Sequence, residues 1–485
     1  MTTIEAIVEK KKALLSGELA HLLAEANGIE INAARKRVER AKSPVHKIKG
    51  LFADNQSFVY HSSAYNSGTY FDELVQSFEK AATRCAVLLE AIDYHHGLID
   101  KNELANYAMS PVHNIIGHMN FYTIVDKLIE LNVLSDYDDN LYTLNGYISP
   151  AEPNISHFKA IQLAKKLLLQ NLKTWSGHIG LGSFNAGTFD SVVAGFQFAY
   201  TAPSYLHGFV KYKDGVPQPG FLVADILIGN VTSTKSIHFF LQKLAVIRAS
   251  NKGIRLLPVL IVDGLEPEAF QALRKAGVMI GSVKELFGDN YNELIKDLIA
   301  TITNAGTILK KDPEKYIHLM TQLTKLVDGK TNNLKGELFE LAVGYYYGQH
   351  CQFLEIGKKV VPEPWEKKRD IDVMALYQDE VRIVECKGYN YPVDVDYVDR
   401  YLGEILPAIF KWQKKTFPEK KCAFELWSTG GFTAKALEKL DEARSKTKKY
   451  SVNYLQKPDI LAKAAELKTS KFSEILKEYF FKDVA

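Results

Sequence analysis

The chain is short of cysteine, of tryptophan and of uninterrupted apolar sequence. Its four cysteines among 485 residues, Cys85, Cys351, Cys386 and Cys422, never stand in a CxxC spacing. That excludes a disulfide framework and a cysteine-rich zinc site, and it fits reduced thiols in a cytoplasmic protein. No apolar run approaches the ~18 residues that a membrane span needs; the strongest, Leu256 to Val262, is short and contains Pro258. Lys10, Lys11 and Lys12 are followed by neither an apolar h-region nor a small-residue cleavage site, so no membrane partner and no export are expected. What is present is ordinary globular material, 46% hydrophobic and 24% charged. This composition excludes disorder as the main state and a collagen- or mucin-like fibre. The length predicts about three or four domains.

The net charge of +3 averages unlike regions. Residues 1–50 carry 10 Lys and Arg against 6 Asp and Glu, whereas residues 51–150 carry 4 against 13. Residues 151–330 carry 20 against 14, and 331–485 carry 26 against 24. Alternation of sign along a chain predicts separate surfaces for separate partners.

The first segment reads as helices followed by a ribbon: a partial stripe from Ile4 to Leu15, a helix capped by Ser16 and stopped at Asn27-Gly28, and a third helix from Ile31 to Ala41. Short strands are predicted over Ile48–Phe52 and Ser57–His61. Three helices and a β-ribbon resemble a winged helix-turn-helix. The basic residues Arg35, Lys36, Arg37, Arg40, Lys42, Lys47 and Lys49, with only Glu39 as an acid between residues 31 and 50, match a phosphate-contacting surface. The competing reading is a solvated basic helix. The next hundred residues repeat the plan, with helices over Ala81–Tyr94, Lys101–Tyr107 and Tyr122–Leu131 and a wing strand over Asn140–Leu144. Their negative charge would repel phosphates, so this second module is expected to meet protein rather than DNA. His95 and His96 before Gly97 read better as a helix end interacting with its dipole than as metal ligands.

Residues 151–330 alternate helix and strand: Phe158–Trp175, Phe221–Ile228, His238–Ala249, Leu256–Val262 and Glu266–Ala276. This predicts at least part of a parallel sheet. Two decoys carry no nucleotide site. Asp328-Gly329-Lys330-Thr331 imitates the end of a Walker A loop, but Thr324 stands where its first glycine belongs. Gly180-Leu-Gly182 lacks a third glycine and a preceding strand.

The chemistry is concentrated between Lys335 and Leu440. A helix carrying Gly336, Glu337 and Glu340 leads to the alternating strand Arg369–Leu376, whose Asp370 and Asp372 share one face. After a turn at Gln378–Glu380, a second strand ends Glu385-Cys386-Lys387-Gly388, with Glu385 and Lys387 on the same side. A hairpin would bring Asp372 beside them. Burying three such charges without a ligand costs several kcal/mol for each ion, on the order of its desolvation penalty. A hard divalent cation relieves that cost, because Mg²⁺ needs only one or two protein carboxylates. Asp372, Glu385 and the Cys386 backbone carbonyl are the expected metal ligands. Lys387 is placed to orient the nucleophile and offset developing charge, with Glu340 holding a metal-bound water or a second ion.

Asp372…Glu385-x-Lys387, with Gly336-x-x-x-Glu340 upstream, resembles the PD-(D/E)XK phosphodiesterases, which include restriction endonucleases and archaeal-type Holliday-junction resolvases. Glu425-Leu-Trp-Ser-Thr429-Gly430-Gly431-Phe432-Thr433 is similar to the strand–turn–helix of Mrr-type restriction enzymes. The resemblance covers residues 331–455. The proline that precedes the first Asp in that family is absent, which leaves Asp370 as a second claimant to the metal behind Asp372, and the family spacing from Gly336 favours Glu340 over Glu337.

The expected architecture is therefore multi-domain α/β and α+β. Winged-helix modules are expected at 1–65 and 66–150 and a central α/β domain at 151–330. A restriction-endonuclease-like α/β/α domain with a mixed sheet is expected at 331–485. The central domain bears a faint likeness to the same nuclease fold, its Ala224-Asp225 resembling the first-Asp strand. The resemblance implies a cytoplasmic Mg²⁺-dependent endodeoxyribonuclease, with Mn²⁺ as a substitute, acting in restriction or defence. The alternatives are a DNA-binding regulator or scaffold with a vestigial nuclease domain, and a branched-DNA resolvase. Double-strand cutting needs two centres, so a homodimer is expected. A partner ATPase or defence-complex subunit is left open, because the chain carries no motor motif. Further phosphate contacts are expected from Lys411, Lys414 and Lys415, and from Lys446, Lys448 and Lys449.

Overall fold

A computed structural model describes residues 2–150, 152–251, 253–326, 335–363, 367–467 and 469–481. The Walker-like Asp328–Thr331 stretch lies outside them. The chain is a mixed α/β protein whose residues divide into two compact units, Met1–Asn154 with Lys165–Leu286, and Ile155–Ala164 with Phe287–Ala485. Among the described residues no helix is long and apolar enough to cross a membrane.

The first unit opens with helix α1 (Ile4–Lys11), strand β1 (Ala13–Leu15), helices α2 (Ser16–Asn27) and α3 (Ile31–Arg40), and strands β2 (Val45–Ile48) and β3 (Phe58–His61). The stretch expected as one helix from Ile4 to Leu15 breaks at Lys12, which takes a φ of 69°. Ala13–Leu15 then pair antiparallel with β3. Ser16 starts α2 rather than capping it, and its hydroxyl instead accepts the Ser57 N–H at 2.9 Å. Gly28 ends α2 in the left-handed conformation that glycine favours, as its position predicts. The ribbon begins earlier than expected, at Val45, because Leu51 and Phe52 are drawn into the core. The three strands form a sheet of order β1-β3-β2, over a small core of Val8, Leu19, Leu23, Ala34, Val38 and Val59.

Next come α4 (Gly68–Ala81), α5 (Thr83–Tyr94), β4 (Leu98–Asp100), α6 (Phe121–Glu130), β5 (Leu134–Asp136) and β6 (Leu141–Leu144), the strands in the order β4-β6-β5. The helix expected over Lys101–Tyr107 is only a 3₁₀ turn, Glu103–Tyr107. Asp100 accepts the N–H groups of Asn102 and Glu103, which closes the chain into a tight turn. His95 ends α5 but not as a cation: burial first, and Lys165 second, lower its pKa to about 3. The neutral ring lies between the Ala91 carbonyl at 2.6 Å and the Lys165 ammonium at 2.6 Å. Its interaction with the helix end is a hydrogen bond, which corrects the dipole reading.

Helix α7 (Ile155–His178) precedes β7 (Thr188–Val193), β8 (Phe196–Ser204), the small hairpin β9 (Lys211–Lys213) and β10 (Val216–Gln218), β11 (Gly220–Leu227), α8 (His238–Ser250), β12 (Leu256–Val262), α9 (Pro267–Lys275) and β13 (Met279–Ser282). The sheet runs β13-β12-β11-β8-β7. Its last three strands in sequence are mutually parallel and its first two antiparallel. The near-continuous burial of β11 and β12 is that of strands covered on both faces.

Helix α10 (Val283–Phe287) ends the first unit, and the second continues with α11 (Asp289–Thr303), α12 (Ala305–Lys311), α13 (Glu314–Leu326) and α14 (Lys335–Gly348). Then follow β14 (Phe353–Val360), β15 (Arg369–Leu376), β16 (Glu380–Lys387), α15 (Val395–Arg400), α16 (Leu406–Thr416), β17 (Lys421–Ser428), α17 (Ala434–Lys446), β18 (Ser451–Leu455), α18 (Lys457–Ala465) and α19 (Ser470–Ile475). The sheet order is β14-β15-β16-β17-β18. The first two pairings are antiparallel and the last two parallel.

The two five-stranded sheets thus have one topology. Strand β11 corresponds to β16, and α8 and α9 fill the crossovers that α15–α16 and α17 fill in the other copy. Asp225 therefore lies on the counterpart of the Glu385 strand, not of the first-Asp strand that its local sequence resembles.

Candidate active site

Alternating apolar residues on β15 and β16, joined by a short polar turn, produce the antiparallel hairpin that the pattern predicts. Its ladder pairs Val373 with Val384, so one step further Asp372 faces Glu385. The Cys386 N–H donates to Asp372 Oδ2 at 2.7 Å. The Lys387 carbonyl points the other way, accepting the Thr429 N–H at 3.0 Å. Because the N–H and C=O of one strand residue point to the same edge, the Cys386 carbonyl lies on the Asp372 side.

Glu385 and Lys387, two apart on β16, meet at 2.7 Å, and the Tyr397 hydroxyl donates to the same Glu385 oxygen at 2.6 Å. Asp394 caps α15 by accepting the Tyr397 N–H at 2.8 Å, which sets that tyrosine over the strand end. The Lys387 ammonium also lies 4.7 Å from the centre of the Tyr397 ring. Glu340, from α14, forms an ion pair at 3.7 Å with Lys159 in the first turns of α7. Room for Lys159 comes from Gly357, opposite Asp372 in the β14–β15 ladder. Its φ of 67° suits glycine, and an added Cβ would meet the Lys159 ammonium at 3.4 Å.

The electrostatics are those of an acid cluster short of positive charge. Burial first, then Glu385 and Glu340, push the Asp372 carboxyl well above its ordinary range, and Lys387 and Lys159 only partly offset them. Burial likewise raises Glu340 to about 7, with Glu337 and Glu385 adding to it against the pull of Lys159. Burial opposes the Lys387 charge, but Glu385, Tyr397 and Asp372 outweigh it and hold its pKa above the usual lysine value. Lys387 is therefore a proton-bearing cation and not a base. Asp370 is half-exposed and pairs with Lys359 on β14 at 3.5 Å, while adding to the negative field that holds the Lys159 charge. Glu337 lies near enough to Glu340 to raise it, yet Glu340 is the acid brought beside Lys159 and the hairpin.

Among the described residues no three His, Cys, Asp or Glu side chains are grouped as a metal-holding set. The carboxylates of Asp372 and Glu385, with the Cys386 carbonyl on the same edge, have the hard oxygen chemistry that Mg²⁺ accepts, and that ion needs no third carboxylate.

The Thr429-Gly430-Gly431 turn has a structural task. The Thr429 hydroxyl donates to the Tyr389 carbonyl at 2.7 Å, and Gly430 packs directly against the Tyr391 backbone. The Gly431 carbonyl accepts the Val393 N–H at 2.9 Å. The motif clamps the loop that leaves Lys387. Lysines expected to grip phosphate are partly engaged elsewhere: Lys411 and Lys415 pair with Glu363 at 3.5 and 2.6 Å, and Lys446 with Glu442 at 2.6 Å. Lys159 and Tyr397 escaped sequence reasoning. A cap signal at Asp394 could have found Tyr397, but nothing local distinguishes Lys159 from any helical lysine.

In the first unit, Arg35, Lys36, Arg37 and Arg40 are exposed on α3, with Lys42 and Lys49 exposed beyond it. Arg35, Lys47 and Lys49 line a groove of about 1100 Å³ between α2, α3 and the ribbon, together with His21 and the acids Glu18, Glu39 and Asp54. Lys47 differs from the other six cations. Its ammonium caps the end of α3 through the Val38 and Glu39 carbonyls at 3.1 and 2.6 Å, and burial first, then Lys49, lower its pKa. Lys47 thus has a structural use as a helix cap besides its place in the groove.

No protein-family model and no curated protein matches the chain. Among solved structures it is similar to the crystal structure of protein VC1899 from Vibrio cholerae, at 12% identity, covering 60% of this chain and 80% of that one, with a TM-score of 0.17. A likeness that small carries no argument about fold or activity.

Proposed function

We propose that the protein is a divalent-metal-dependent endonuclease that hydrolyses DNA phosphodiesters, with a restriction-endonuclease-like second unit and a winged-helix DNA-docking module at its N-terminus. The observation that carries the reading is the meeting of Glu385 and Lys387 at 2.7 Å at the end of β16, beside Asp372, which accepts the Cys386 N–H; burial first, then neighbouring acids, raises the Asp372 and Glu340 carboxyls. Perturbed carboxyls gathered beside a lysine at a strand end are what a cation and phosphate site requires. Asp372, Glu385 and the Cys386 carbonyl would hold Mg²⁺, or Mn²⁺ in its place, and the ion when bound supplies charge neutralisation and an acidified water. Lys387, kept protonated by Glu385 and Tyr397, offsets negative charge growing on the phosphate oxygens. Tyr397 fixes the Glu385 carboxylate, and Lys159 restrains Glu340.

Support for the docking module is the helix–strand–helix–helix–strand–strand order of residues 4–61, with Arg35, Lys36, Arg37 and Arg40 exposed on its last helix. Partners under this reading are DNA and, for double-strand cutting, a second copy of the chain; a partner ATPase is a matter for reconstitution. The test is cleavage of plasmid and of four-way junctions by the full-length protein across divalent metals. Lys387→Ala is expected to abolish cutting while DNA affinity changes less than about twofold, since phosphate contacts elsewhere carry affinity. Binding without any nicking in Mg²⁺ or Mn²⁺ would establish a scaffold instead, and preference for junctions would establish a resolvase.

A further inference from the structure

The loop that follows Lys387 presents two tyrosines for which the fold has no evident use. The Tyr389 and Tyr391 rings lie parallel, 5.0 Å between centroids and 9° between planes. They are 38% and 63% exposed. Exposed aromatic pairs are normally mobile, but this one stands on a braced backbone. Gly388 packs against the Lys335 carbonyl, which leaves no room for a side chain there. The buried Lys335 ammonium reaches Asn390 Oδ1, between the two tyrosines, at 3.0 Å. Thr429, Gly430 and Gly431 clamp the backbone at Tyr389, Tyr391 and Val393. Every one of these contacts is to the loop backbone or to Asn390, so the backbone that carries the two exposed rings is fixed.

From these observations we infer that Tyr389 and Tyr391 form a stacking platform for an unpaired base of the nucleic acid whose phosphate lies at Lys387. This rests on the proposed nuclease reading and narrows its substrate. Tyr391 is four residues past Lys387, a chain reach of about 14 Å at most, so the platform meets a nucleotide close to the scissile bond. A flat, rigid, amphipathic ring stack matches a base face in shape and chemistry, and every base has such a face. A base within an intact duplex has both faces covered by its neighbours. The platform therefore selects DNA with a fork, an overhang or an extruded base.

The test uses the full-length protein in EDTA, so that binding is read apart from cleavage. Anisotropy titrations at fixed salt compare a blunt duplex with the same duplex bearing an unpaired tail. The forked DNA is expected to bind about tenfold more tightly, the scale of one stacked base. Tyr391→Ala and Tyr391→Leu are expected to remove that preference while blunt-duplex affinity is unchanged, and Tyr391→Trp is expected to keep it. Equal binding of the two DNAs by the unmutated protein, a preference that survives Tyr391→Ala, or its retention by Tyr391→Leu would each overturn the platform. Cleavage in Mg²⁺ is scored separately. Fork preference without cleavage would remove the hydrolytic reading alone, and cleavage without fork preference the platform alone.

Discussion

The two five-stranded sheets share an order and a pattern of strand directions, yet they treat buried charge in opposite ways. In the first unit, Asp225 on β11 and Lys243 on α8 are both fully buried and meet at 2.8 Å. Lys243 also donates to the carbonyls of Asn106 and Gln197, and Asp225 accepts the Ala199 N–H at 2.8 Å. One acid and one base are here satisfied by each other and by neighbouring protein atoms. In the second unit the corresponding strand carries Glu385 and Lys387 into a cluster where the acids outnumber the cations. One topology serves a closed structural pair in one copy and an open, charge-imbalanced centre in the other. Topology alone therefore does not assign an activity; the local charge balance does.

Substitutions that exchange these roles test the contrast most sharply. Asp372→Asn should reduce metal-dependent cleavage by at least about a hundredfold, the scale of losing one electrostatic element of a catalytic site. The same change should raise the melting temperature in EDTA by about 2–4 °C, because it removes a carboxyl whose ionisation is opposed by burial first and then by Glu385 and Glu340. Calorimetry together with a plasmid-nicking assay reads both effects. A variant that is both inactive and less stable would break the argument. Lys243→Met should do the reverse and lower stability by about 3–5 kcal/mol, since it strands Asp225 as a buried unpaired charge. Denaturant titration, followed by a probe in the first unit, measures that loss.

The pH dependence sharpens the comparison further. Glu340 is raised from an ordinary 4.5 to about 7, by burial first. Over that window the folded protein holds a proton that the unfolded chain has released. Stability should accordingly fall as pH rises through the window, and the raised Asp372 carboxyl adds to the fall. Melting curves in EDTA between pH 5 and 8 should show this slope, and Glu340→Gln should flatten it. The smallest effects belong to the proposed docking module. Arg40→Ala should lower the salt dependence of DNA binding by about one unit of slope. Lys47→Ala should leave that slope unchanged and cost about 0.3–1 kcal/mol of stability, as the loss of a helix-end cation.

Much of the hairpin was legible in advance. Strand β15 runs over the residues its alternation marks out, and β16 differs from its expected span only at the ends, because two apolar, alternating runs around a polar turn have few other ways to bury themselves. Less local elements were not legible. Strand β1 reads as the tail of a helix until β3 is present to pair with it. Helix α4 carries Tyr70, Phe71, Leu74 and Phe78 on one face, but its start at Ser67-Gly68 resembles a turn. At the site, Asp372, Glu385 and Lys387 share one hairpin and so could be read from spacing alone. Lys159 comes from a helix remote in sequence, and neither the helix-capping contacts of Lys47 nor the partner of Asp225 was legible, because those partners lie on other elements.

The sequence by itself determined which strand end collects Asp372, Glu385 and Lys387, since strand periodicity and a short turn are local rules. It also determined that positive charge gathers on α3. Only the tertiary structure decided how those charges are balanced: that Lys159 restrains Glu340, that Tyr397 and Glu385 keep Lys387 protonated, that Lys243 closes off Asp225, and that the Thr429–Gly431 turn holds two tyrosines beside the site. The reason is physical. Burial and ion pairing depend on which groups approach within a few ångströms, and for these groups that approach is made by elements far apart in the chain.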